Sequence, residues 1–150
     1  MKKIIILLAI APLFLIGQNK TYKNFVEFNI GIADIGGYDF NDVFPGTSVL
    51  FGRTIELGSS NTVVEWQVGA AFPSLMTGKI ALGYGNLKNN IALAVRPWPL
   101  TIGPQAKIGN FSFSFEVGDG GDLSFEAGLI STVGYRITFG GKNKASAKID

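Results

Sequence analysis

Residues 100–117 read Leu100-Thr101-Ile102-Gly103-Pro104-Gln105-Ala106-Lys107-Ile108-Gly109-Asn110-Phe111-Ser112-Phe113-Ser114-Phe115-Glu116-Val117. Two runs of period two meet at one Gly-Asn pair. Before it, Leu100, Ile102, Pro104, Ala106 and Ile108 alternate with Thr101, Gly103, Gln105 and Lys107. After it, Phe111, Phe113, Phe115 and Val117 alternate with Ser112, Ser114 and Glu116. Such alternation is the signal of a strand with two unlike faces. Gly-Asn between two such runs is a two-residue hairpin signal. Ile108 and Phe111 flank the turn and both belong to the apolar set, as partners on one face of a hairpin must.

Alternation continues in both directions, and no window shows the spacing of an amphipathic helix. Val26, Phe28, Ile30 and Ile32 oppose Glu27, Asn29, Gly31 and Ala33. Val64, Trp66, Val68, Ala70 and Phe72 oppose Glu65, Gln67, Gly69 and Ala71. Ile80 and Leu82 oppose Lys79, Ala81 and Gly83, and Ile91, Leu93 and Val95 oppose Ala92, Ala94 and Arg96. Toward the C-terminus the odd positions from Leu123 to Phe139 stay apolar apart from Ser131. These runs predict eight strands: 22–33, 47–57, 62–72, 76–84, 89–95, 100–108, 111–117 and 123–139. Turn lengths place Phe72 opposite Met76, Val95 opposite Leu100, Val117 opposite Leu123, Leu57 opposite Thr62 and Tyr84 opposite Asn89. The predicted fold is all-β, an antiparallel up-and-down meander closing into an eight-stranded barrel.

The second face of these strands is not an ordinary wet surface. It carries Gly31, Ala33, Gly52, Gly69, Ala71, Ala81, Gly83, Ala92, Ala94, Gly103, Gly128 and Gly134, with a few large charges among them. All five glutamates, Glu27, Glu56, Glu65, Glu116 and Glu126, fall on it, as do Lys79, Arg96, Lys107 and Arg136. An eight-stranded barrel has an interior just wide enough to be filled by side chains. The expectation is a lumen charge network of these nine residues, with small neighbours giving them room. All six aspartates are expected outside the strands. The apolar face would then meet lipid, as in a membrane barrel. Tyr22, Trp66, Phe72, Tyr84, Trp98, Phe111 and Phe139 fall near predicted strand ends, where interfacial aromatics belong. The competing architecture is a soluble barrel with the apolar face inside, binding a small apolar ligand as lipocalins do.

The N-terminus reads as an export signal. Met1-Lys2-Lys3 precedes the apolar run Ile4–Ile16, then Gly17 and Gln18. A charged head, an apolar stretch and a small residue make up a secretory signal peptide, and the run is short of the ~20 residues of a spanning helix. The expected domains are a signal peptide at 1–17, a barrel at 18–139 and a polar tail at 140–150. Lys2 and Lys3 are two of 13 basic residues, and without them 11 remain against 11 acidic ones. The formal charge of +2 therefore implies no acidic partner.

With these features together, the chain resembles the small bacterial outer-membrane barrels of the OmpA/OmpX-like type. Its ending, Thr132-Val133-Gly134-Tyr135-Arg136-Ile137-Thr138-Phe139, is similar to the C-terminal assembly signal of that family, with Gly134, Ile137 and Phe139 in the signal positions. The resemblance implies residence in the outer membrane, contact with its lipid, recognition by the barrel-assembly machinery, and a monomer. Three features depart from the pattern. Gly140–Asp150 follows the terminal aromatic, with Lys142, Lys144 and Lys148 in it. Strand 123–139 exceeds the 9–11 residues of a spanning strand, so a bulge, a break near Ser131 or a projection is expected. Arg53 falls on the apolar face, where a midplane position costs about 2–4 kcal/mol. A bulge near Gly52 or a place near the headgroups would remove that conflict.

Periplasmic termini would put loops 34–46, 73–75, 96–99 and 118–122 outside. The first is long enough for a recognition surface, with Asp34, Tyr38, Asp39, Phe40, Asp42 and Phe44 as candidates. Gly118-Asp119-Gly120-Gly121-Asp122 lacks the ligand set of a calcium loop and reads as a connecting turn. The chain has no Cys and no His. That excludes disulfides, thiolate sites and a cysteine nucleophile, and removes the usual general base. No nucleophile elbow or phosphate-cradling loop is present. No catalytic residue, metal or cofactor is expected, and nothing points to nucleic acid.

Overall fold

The structure is a computed structural model describing residues 21–35, 44–57, 61–120 and 126–142. Eight strands make up the fold: β1 (Thr21–Ile35), β2 (Phe44–Leu57), β3 (Thr62–Phe72), β4 (Leu75–Gly85), β5 (Asn90–Trp98), β6 (Leu100–Ile108), β7 (Phe111–Gly118) and β8 (Ala127–Lys142). Each pairs with its chain neighbours, and β8 returns antiparallel to β1 to close the barrel. Closure leaves no strand edge unpaired. No helix occurs among the described residues. We call the end holding the start of β1, the finish of β8 and the 109–110 turn the termini end, and the opposite end the loop end.

The two-residue hairpin forms as its sequence dictates: Ile108 pairs with Phe111, and Gly109 supplies a φ of +61°, which glycine reaches without strain. Leu57 likewise pairs with Thr62. Other turns differ from expectation. Met76 pairs with Ala70, and Tyr84 with Ile91 across a turn in which the Asn86 side chain accepts from the backbone N–H of Lys88 and Asn89, both at 2.9 Å. Val95 pairs with Ile102 and Pro97 with Leu100, so β5 includes most of the segment read as loop 96–99. The β4–β5 ladder slips between Gly78 and Ile80, opposite Arg96 and Pro97. Proline has no N–H for a ladder, and a bulge absorbs the gap.

The largest correction concerns β8. Val117 pairs with Leu129, not Leu123, and the described strand starts at Ala127. Residues 123–125 lie outside the described residues. The β1–β8 register shifts between Asp34 and Ile35, so Gly128 is an extra residue. That bulge inverts the parity ahead of it, and Ala127, read as outward, is fully buried. At its other end β8 continues through Gly140 and Gly141 to Lys142. Asp34, expected in a loop, is part of β1, because the taller wall of β8, β1 and β2 carries its pairing past the rim.

The faces agree with the alternation. Exposed side chains include Phe28, Ile30, Val49, Phe51, Leu82, Ile91, Leu93, Phe113, Phe115 and Ile137, while Glu27, Glu65, Lys79, Arg96, Lys107, Glu116 and Arg136 are buried. The barrel is inside-out relative to a water-soluble one, since its large apolar residues line the exterior and its ions the core.

Candidate functional site

The small residues of the inward face leave a lumen into which seven ionisable side chains reach. They form two clusters. In the first, near the termini end, Glu65 of β3 is the hub. Arg136 of β8 donates to both its oxygens, Nη1 to Oε2 and Nη2 to Oε1, each at 2.8 Å. The flat guanidinium fork matches a carboxylate in this bidentate way. Gln67 Nε2 and Gln105 Nε2 donate to Glu65 Oε1 at 2.7 and 3.0 Å. The Lys107 ammonium and the Thr54 hydroxyl donate to Oε2. Arg136 Nε turns to Glu27 of β1, and its guanidinium lies 3.7 Å from the Phe25 ring centre, a cation–π stack. Two carboxylates face two cations here.

The second cluster lies toward the loop end around Glu116 of β7, which is 0 % exposed. It accepts from Lys79 Nζ at 3.2 Å, Arg96 Nε at 2.8 Å, Arg96 Nη2 at 3.2 Å and Thr101 Oγ1 at 2.9 Å. Arg96 Nη1 donates to Thr77 Oγ1 at 2.7 Å, and Thr77 donates to the Trp98 carbonyl at 2.7 Å. One carboxylate faces two cations. Elsewhere on the inward face, Asn29 of β1 donates to Ser48 of β2 at 3.2 Å, and Ser114 of β7 and Thr132 of β8 share a 2.8 Å hydrogen bond.

Seven of the nine expected network residues are therefore buried together. Glu56 is half-buried near the termini end of β2, and Glu126 is half-buried ahead of β8, where it bridges to Leu100. Of the loop candidates, Asp34 is exposed at the loop end of β1 and Phe44 opens β2. Tyr38, Asp39, Phe40 and Asp42 lie outside the described residues. The three positions expected to form an assembly signal lie on β8. Gly134 faces the lumen, where a Cβ would overlap Asn29 Oδ1 and Ser112 Oγ. Ile137 and Phe139 are exposed on the outer wall.

Sequence reading missed Phe25, Gln67, Gln105, Thr54, Thr77 and Thr101 as parts of the network. Parity alone places all six on the inward face. Phe25 was hidden by its type, being an apolar residue where the face is polar. Its ring is 1 % exposed and lies over Gly52, whose Cβ would collide with it.

The cavities at the two ends of the lumen among the described residues are small. A cavity of about 30 Å³ lies at the loop end beside Asn29, Ser48, Arg96 and Ile130, and one of about 30 Å³ at the termini end beside Lys23, Phe25, Lys107 and Arg136. Each has room for water, while ligand sites run to about 300–1,000 Å³. A larger concavity of about 410 Å³ lies on the outer wall among Phe28, Ile30, Val49, Ala70 and Phe72. Among the described residues no group of three or more acidic ligands is placed to hold a metal.

Arg53 resolves in favour of the rim. The β1–β2 and β2–β3 ladders run without a shift past Gly52, so Arg53 stays on the outer wall near the termini end. Its guanidinium lies 4.4 Å from the centre of the Tyr22 ring, and Nε donates to Asn24 Oδ1 at 2.8 Å. Just above it, Phe51 contacts Trp66 and Phe139 with ring centres 5.6 and 6.1 Å apart. Comparison of the chain with protein-family models, curated proteins and solved structures gave no match.

Proposed function

We propose that this chain is a non-enzymatic β-barrel of the bacterial outer membrane. Its apolar wall meets lipid, its lumen is closed by an ion network, and its role is structural or surface-interacting through the loop end. The observation that carries the reading is the inversion of faces. Phe113 and Phe115, at 43 % and 51 % exposed, stand outward on either side of buried Ser114. The apolar exterior runs round the whole barrel, whereas soluble monomers rarely expose contiguous apolar patches beyond a few hundred Å². The nine residues of β5 or β6 rise about 3.4 Å each. Tilted by roughly 40°, they stand about 23 Å tall, close to the ~25 Å apolar band of outer-membrane barrels.

A soluble lipocalin-like barrel needs an apolar lumen with space in it. Buried Glu27, Glu65, Lys107 and Arg136 and the 30 Å³ cavities weigh against it. In the proposed reading the chain is a monomer, its termini face the periplasm, and Gly134, Ile137 and Phe139 on β8 are read by the barrel-assembly machinery. Catalysis, cofactors and nucleic acid have no part in it. Washed cell membranes extracted with high salt and then urea test the proposal. Retention of the protein is expected, and release into the soluble fraction overturns it.

A further inference from the structure

We infer that the termini end carries a binding site for the phosphodiester of an anionic phospholipid headgroup, built on Arg53. The inference rests on the membrane reading above. Arg53 and Lys142 are the two cations on the outward face of the strands among the described residues. Both flank Tyr22. Arg53 stacks on the ring, and Lys142 pairs with Tyr22 across the β1–β8 ladder. Lys142 reaches that position through a bulge. Phe139 pairs with Asn24 and Lys142 with Tyr22, and the extra residue is taken up at Gly140 and Gly141, with φ of +57° and +135°. Only glycine adopts such values readily. Without the bulge Lys142 would fall out of step with Tyr22.

The Arg53 guanidinium is already oriented. Asn24 holds Nε and Tyr22 holds one flat face, while the two terminal nitrogens have no partner among the described residues. A planar fork with free N–H donors suits a phosphate oxygen pair. Its height is right for a headgroup, directly below the Phe51, Trp66 and Phe139 rings that would sit at the interface. The wider field agrees. Lys23, Arg53, Lys88 and Lys142 surround the termini end against Glu56, while Asp34, Asp119 and Glu126 mark the loop end. An anionic lipid is drawn to the first end and repelled from the second.

The full chain, released from micelles containing equal phosphatidylglycerol and phosphatidylcholine, is examined by native mass spectrometry. Wild type is expected to retain phosphatidylglycerol preferentially. Arg53→Gln should lower that retention about fivefold, the effect of one cation near an anionic surface. Arg53→Lys, which keeps charge but loses the fork, should fall between them. Lys142→Gln provides the same test at an exposed position should Arg53→Gln fail to fold. Unchanged retention in folded Arg53→Gln, or in Lys142→Gln where that variant stands in, overturns the site. Displacement of the lipid by millimolar inorganic phosphate also overturns it, by making the occupant a free anion. A wild type that inserts in bilayers yet shows no preference sinks this site alone. A wild type that fails to insert sinks the membrane reading with it.

Discussion

Replacing Glu116 by Gln tests whether the lumen is dry. The substitution keeps the side-chain volume, removes the charge and turns one oxygen into a donor. Glu116 Oε2 accepts from Arg96 Nε and Thr101, and Oε1 from Lys79 and Arg96 Nη2. If Oε1 becomes the amide nitrogen, the bonds from Lys79 and Arg96 Nη2 are lost. If Oε2 does, the Arg96 Nε bond is lost and the Thr101 hydroxyl must reverse to accept. Each bond lost to a charged group costs about 1.5–3 kcal/mol. Breaking a buried ion pair from one side independently suggests about 3–5 kcal/mol, so the expected loss is ~3–5 kcal/mol. Urea unfolding from phospholipid vesicles, followed by tryptophan fluorescence, measures it. Trp98 is a suitable reporter because its carbonyl ends the chain Glu116–Arg96–Thr77. Lys79→Met is the control. The cluster holds two cations for one carboxylate, so this change removes surplus charge and should cost less than ~1.5 kcal/mol. A Glu116→Gln loss below about 1 kcal/mol, the value of a solvated pair, would mean that water screens the lumen. So would equal losses for the two variants.

Further outcomes are expected. Phe113→Arg places a cation on the apolar wall and should reduce insertion into vesicles by about 2–4 kcal/mol in equilibrium folding. An unchanged folded fraction would point to a water-facing wall. Gly134→Val should lower stability by ~1–3 kcal/mol through overpacking against Asn29 and Ser112, read as a fall in the heat-modifiable folded band on gels. In planar bilayers the wild type should give no large conductance steps, because the ion clusters fill the bore. Steady steps of porin size would refute a closed lumen.

The sequence made the faces legible because period two survives any change of register, and the hairpin at Gly109-Asn110 because its chemistry is local. The strand ends were less legible. Pro97 and Pro99 suggested a loop where a bulge lets β5 continue, and Gly128 moved Ala127 to the inside without leaving any mark in the alternation. The membership of Glu65, Arg136 and Glu116 in the lumen was readable, but their partners were not. Which inward residues meet is set by the stagger of strands around the closed barrel, a property of all eight ladders together. Phe25 and Leu50 show the same limit. Both are buried inward, and only contact with a guanidinium and a glycine explains the first.

The closing seam bears on how the chain can fold. Every ladder except β1–β8 joins consecutive strands, and these can form as soon as each hairpin is made. The contact between Glu27 and Arg136 spans 109 positions. Gathering a loop of that length costs about 2 kcal/mol more than a ten-residue one, with its return delayed until the last strand docks. Folding speed falls as contacts become less local, so this single seam concentrates the slow step. A product cut short before Arg136 keeps most of its strands but lacks the guanidinium that links Glu27 to Glu65. Barrel closure and the Glu27–Arg136–Glu65 link therefore both wait on β8.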